Sequence, residues 1–105
     1  MIEARHYVDG AGRCPFQRWL ESLDGFASAR ITRSLSRLAN GNMSNVRAVG
    51  EGVSELKVDF GPGYRVYFGW QGATLVILLG GGQKKGQPRD IAEAKARWAD
   101  YKRRR

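Results

Sequence analysis

The chain is expected to fold as a single α+β domain over residues 1–105, one sheet with helices packed against it. Three observations predict this. Two alternating segments and one nearly continuous apolar run follow one another between residues 53 and 79, joined by Gly-containing turns, the pattern of a three-strand meander. Helix-period apolar stripes lie before and after that meander. The length, 105 residues, suits one core, and 42% hydrophobic residues are enough to fill it, which argues against intrinsic disorder.

The elements read in order as β-α-α-β-β-β-α. Glu3 to Val8 is a short strand closed by the Asp9-Gly10 turn signal. Pro15 opens a helix, where its missing N–H has no partner to lose, and Phe16, Leu20 and Leu23 form one apolar face beside Trp19. Asp24 caps a second helix that runs to about Ala39, with Ile31, Leu35 and Leu38 as its stripe. Asn40-Gly41-Asn42 stops it. Met43 to Gly52 shows no period and reads as a loop.

In Val53 to Phe60, Leu56, Val58 and Phe60 alternate with Glu55, Lys57 and Asp59, so that strand has one wet face. Gly61-Pro62-Gly63 turns the chain into Tyr64–Trp70. There Tyr64, Val66, Phe68 and Trp70 share one face, and Arg65 and Tyr67 the other. Ala73 to Leu79 is apolar throughout apart from Thr74, as expected of a strand covered on both faces. A glycine-rich loop, Gly80 to Gly86, leads to a last helix from Pro88 with Ile91, Ala94, Trp98 and Tyr101 on its inner face. Lys102 to Arg105 is expected to fray.

Charge narrows the function classes. Eighteen Lys+Arg against 10 Asp+Glu give a net charge of +8. Residues 84–105 alone carry 9 basic and 3 acidic groups. Such an excess points to an acidic partner: nucleic acid, an acidic protein or an anionic membrane surface. Cys14 stands alone, so no intrachain disulfide or Cys-cluster zinc site exists, in keeping with a reducing, cytoplasmic setting. His6 also stands alone, which excludes a histidine pair. The longest apolar run falls far short of the roughly 18 residues that span a membrane, and the N-terminus has no signal-like apolar stretch. No cofactor is expected. No tight carboxylate pair stands in a motif, so no metal site is expected either.

Four features are candidates for chemistry. The Gly80–Gly82 run between a strand and a helix suits either a backbone anion cradle or a plain strand exit; without Gly-Lys-Ser/Thr it is not a Walker loop. Lys84 and Lys85 leave the end of that strand, near Arg65 and Tyr67 on the neighbouring strand and Lys57 on the next. Together they would suit a phosphodiester, with Arg binding phosphate oxygens in pairs and Lys adding a compact charge. The alternative for Arg65 is an ion pair with Glu55 or Asp59. Arg30, Arg33 and Arg37 form a basic stripe on the second helix, either a solvated face or one turned to phosphates or to the ribosome.

Three stretches resemble a known family. The segment Gly52-Val-Ser-Glu-Leu-Lys-Val-Asp-Phe-Gly-Pro-Gly-Tyr-Arg-Val-Tyr-Phe68 is similar to the HigB-like branch of the RelE/ParE toxins, the addiction-module killer proteins. Leu78-Leu-Gly-Gly-Gly-Gln-Lys-Lys-Gly-Gln-Pro-Arg-Asp-Ile-Ala-Glu-Ala-Lys95 and Pro15-Phe-Gln-Arg-Trp-Leu-Glu-Ser-Leu23 continue the pattern over nearly the whole chain.

The resemblance implies the RelE-like fold and the toxin half of a type II toxin–antitoxin system. Its implied activity is metal-independent cleavage of mRNA on the ribosome. Its partner would be a helix-turn-helix antitoxin encoded by an adjacent gene. On this resemblance Arg65 takes a catalytic phosphate-contacting place, Lys84 and Lys85 supply the basic pair, and Lys57 is a weaker match. Tyr67, Arg30, Arg33 and Arg37 are further expected RNA contacts. RelE-type enzymes place a tyrosine where this chain reads Gln87-Pro88-Arg89-Asp90-Ile91, and many HigB enzymes use a histidine that is also missing here. Proton transfer would then fall to Lys, Asp90 or Tyr67, or catalysis would rest on charge and ribosomal groups. ParE relatives share the fold and inhibit DNA gyrase instead, and a non-catalytic basic nucleic-acid-binding domain is the remaining alternative.

Overall fold

The computed structural model describes residues 1–105. Its elements are β1 (Glu3–His6), α1 (Pro15–Glu21), α2 (Gly25–Ala39), β2 (Val46–Gly50), β3 (Val53–Val58), β4 (Tyr64–Gln71), β5 (Leu75–Gln83), a 3-10 turn (Lys84–Gly86) and α3 (Gln87–Arg104). The expected α+β class and order hold, with one strand added. The sheet order is β1-β5-β4-β3-β2, antiparallel except for the parallel β1–β5 pair.

The helices form where capping and periodicity place them. The Asp24 carboxylate accepts the Ala27 N–H at 2.9 Å, satisfying one of the free donors of the first turn of α2. Pro15 stands at the start of α1. The inner faces of α1 and α2 cover one side of the sheet, with Phe16, Ile31 and Leu38 packed on Val66, Phe68 and Leu78. α3 covers the other, with Ala94 and Trp98 packed against Tyr67, Ile77 and Leu79. β4 and β5 are therefore buried on both faces.

Three local readings are corrected. Met43 to Gly52 is not a loop throughout, because Val46–Gly50 pairs with β3 as an edge strand. The two residues between Gly50 and its partner Val53 are Glu51 (φ 55°) and Gly52 (φ 82°), the paired positive φ values of a tight hairpin turn. Gly80 to Gly82 is not a loop, because β5 continues to Gln83. Leu79 is an extra residue there, since Tyr67 faces Gly80 while Phe68 faces Leu78, and this bulge frees the Leu79 carbonyl to accept from Arg97 at 3.1 Å. The glycines make room for neighbours: Trp19 lies on Gly81 and Asp90 faces Gly82. The C-terminal residues stay helical to Arg104, whose guanidinium donates to Asp100 at 2.8 Å and to the Val8 carbonyl at 2.6 Å.

Candidate nucleic-acid interface

The site is built on the α3-facing side of β3 and β4. Arg65 alternates with the core residues Tyr64 and Val66, so its stem is carried into the protein, where it is only 7% exposed. Its Nε lies 2.9 Å from Oε1 of Glu55, and its Nη1 donates to the Tyr64 carbonyl at 3.2 Å. Across the ladder Arg65 faces Lys57, while Glu55 faces Tyr67, so the Arg65–Glu55 contact is diagonal. Of the two carboxylates open to Arg65 in the sequence, Glu55 makes the pair.

Glu55 is the hub of this corner. It is 2% exposed and accepts from Arg47 through Nε at 3.0 Å and Nη2 at 2.7 Å. The Gln87 side chain, at the first position of α3, donates to Glu55 Oε1 at 2.5 Å. A buried carboxylate needs such donors, since an unpaired one costs several kcal/mol. Arg47 and Gln87 escaped sequence reasoning, the first because its strand carries little apolar signal, the second because nothing marked an amide as an ion-pair partner. Arg47, Glu55, Lys57, Arg65 and Gln87 line a cleft of about 380 Å³ with Ser44, Asn45 and Val46.

Lys84 and Lys85 are both exposed, in the 3-10 turn that follows β5. The Lys84 N–H donates to the Gly63 carbonyl at 2.8 Å, which fastens this turn to the β3–β4 loop. A Cβ built on Gly63 would lie 3.5 Å from Arg65 Nη1 and 3.7 Å from Lys84 Cβ, so both residues border Gly63. Lys85 instead borders a second groove, with Trp19, Arg89 and Asp90. The two lysines thus serve different surfaces. Burial raises the Asp90 carboxyl above its ordinary range despite the Arg89 guanidinium 3.8 Å away.

Tyr67 stands apart from its expected role. It is 1% exposed, inside the core between the sheet and α3, and its hydroxyl is buried without a hydrogen-bond partner. Burial, then the Glu55 charge, holds the phenol far above its usual range. Buried this deeply, it offers RNA no surface. The Arg30, Arg33 and Arg37 side chains are exposed along α2 and line a separate groove with Lys57 and Asp59. His6, on β1, packs its ring 5.5 Å from that of Phe16.

RelE/ParE-like toxins are small α+β domains of this class. Within that class the chain belongs to the family described as Phage derived protein Gp49-like (DUF891), whose pattern matches residues 18–100 and which is associated with toxin–antitoxin toxins. It is also 44% identical over 81 residues to an uncharacterized protein of Haemophilus influenzae, covering 76% of this chain and 82% of that one. No helix is long and apolar enough to cross a membrane.

Proposed function

We propose that this protein is the toxin of a type II toxin–antitoxin system, of the HigB kind, and that it cuts mRNA on the ribosome without a metal ion. The observation that carries this reading is the arrangement at Gly63. There Nη1 of the buried Arg65 and the Cβ of the exposed Lys84 both lie within 4 Å of the place a Gly63 Cβ would take, beside a cleft lined by Arg65 and Lys57.

In such a reaction an RNA 2′-oxygen attacks the adjacent phosphorus. The new O–P bond closes a cyclic phosphate, and the bond to the 5′-oxygen breaks. The 2′-hydroxyl must lose a proton and the leaving oxygen must gain one. Arg65 and Lys84 would offset the charge that builds on the phosphate oxygens. Glu55 is the carboxylate in contact with Arg65, and it can accept the 2′-proton only by releasing one of its three donors. The phosphate would draw Arg65 from Glu55 as it binds. A helix-turn-helix antitoxin from the adjacent gene would cover this basic corner with an acidic segment.

One observation favours a second reading. The Arg65–Glu55 pair is complete without a ligand, as a purely structural pair would be. A gyrase-inhibiting toxin would use the same fold with Arg65 in that structural role.

Induced expression in bacteria, with growth and transcript ends followed together, separates the readings. Wild type should arrest growth and leave mRNA ends within reading frames. Arg65→Ala should do neither, and Arg65→Lys should restore little, because a lysine cannot bridge two phosphate oxygens. Arrest with intact transcripts and damaged DNA would replace this reading with the gyrase one.

A further inference from the structure

The groove between α2 and β3 has an excess of positive charge. Arg30, Arg33, Arg37 and Lys57 border it, with Asp59 as its single carboxylate. None of the four cations lies in an ion pair. The Arg30 guanidinium is held over the Phe60 ring, 4.9 Å from its centre, and so stays in place without a counterion. Arg30 and Arg37 are about 10 Å apart along the helix axis at 1.5 Å per residue, a length that can face more than one phosphate.

This groove also adjoins the cleft at Arg65. Asn45 and Lys57 line both. We infer that the α2 groove is a phosphate track for the same single RNA strand whose scissile phosphate occupies the Arg65 cleft. Arg33 and Arg37 hold the flanking backbone, and Lys57 and Asn45 hand it from one cavity to the other. The contact is to phosphates, so it carries affinity and little sequence preference. The identity of the strand rests on the nuclease reading, while the track itself rests on the unpaired charges and the shared lining.

The test uses the full chain without ribosomes and a fluorescein-labelled oligouridine of about eight nucleotides, within the length one such surface covers. Binding is followed by anisotropy over a range of salt. Arg33→Ala/Arg37→Ala should weaken binding about tenfold or more and lower the slope of log affinity against log salt by about 1.4, two single-strand phosphates' worth. Arg33→Lys/Arg37→Lys should recover most of both. These side chains are exposed, so an unchanged melting temperature shows that the fold is intact.

Unchanged affinity and slope in the alanine pair would overturn the track. So would polyglutamate displacing the RNA as strongly as unlabelled oligouridine at equal charge, because the groove would then be an acidic-protein site. Arg65→Ala should lose cleavage in translating extracts. If it still cuts mRNA like wild type, the nuclease assignment of Arg65 fails and the track stands.

Discussion

Tyr67 and Arg65 are neighbours on one face of β4, yet the fold treats them oppositely. Arg65 finds Glu55, and Tyr67 finds nothing for its hydroxyl. A buried hydroxyl without a partner costs about 1–3 kcal/mol. Tyr67→Phe should therefore leave growth arrest intact and stabilise the protein by about 1 kcal/mol, read from urea unfolding. The pH dependence follows from the same burial. The folded-state phenol is raised above its ordinary value of 10.0. The unfolded chain thus loses this proton first as pH rises, so the stability linked to it is complete below that value and falls above it. Tyr67→Phe should flatten the alkaline loss of stability, and an unchanged alkaline limb would show that Tyr67 is not the group responsible.

At the scale of elements, the least expected piece is the β2–β3 hairpin. Its turn places Glu51 at φ 55°, where a side chain other than Asn, Asp or Gly is disfavoured. The Lys95 ammonium lies 3.4 Å from the Glu51 carboxylate, which is largely exposed, so water screens the pair. Glu51→Asn should stabilise the hairpin by roughly 0.5–1 kcal/mol, seen as a raised melting temperature. A lowered one would mean that the Lys95 contact outweighs the backbone strain. β2 matters to the site because it brings Arg47 to Glu55, and so helps set how firmly Arg65 is held.

At the scale of the whole molecule, the two ends of the chain are tied together. The Tyr7 hydroxyl donates to Asp100 at 2.6 Å, and Arg104 joins Asp100 to the Val8 carbonyl. The Arg104 hydrogen bond, then that of Tyr7, holds the Asp100 carboxyl below its ordinary value of 3.8. A carboxyl depressed in the folded state contributes stability above its unfolded value and loses that contribution as pH falls through its folded one. Asp100→Asn should lower the melting temperature near neutrality and narrow the gap from wild type as pH drops below about 4. A gap that stays constant with pH would mean that the tie works without the charge.

Much of this was legible from local pattern. The Asp24 cap, the stripes on the helices and the alternation of Tyr64 to Trp70 are short-range signals, and each element formed where its signal lay. The charge excess and the placing of Arg65 beside a carboxylate were open to the same reading, since facing strands bring diagonal pairs within reach. β2 was not, because an edge strand exposed along most of its length keeps no apolar alternation and is made by pairing with β3. The glycines of β5 misled for a related reason. Alone they mark a loop, but here they make space for Trp19, Asp90 and Arg97, residues distant in sequence.

The amino-acid sequence by itself determined the class of fold, the basic character and where the charged residues fall along the chain, because these depend on composition and on neighbours a few positions away. Only the tertiary structure decided which of those residues meet. It buried Tyr67, locked Arg65 to Glu55 with Arg47 and Gln87 around it, separated Lys84 from Lys85, and set the α2 arginines beside Lys57. Each of these follows from strand register and from packing across the sheet, which no local pattern encodes.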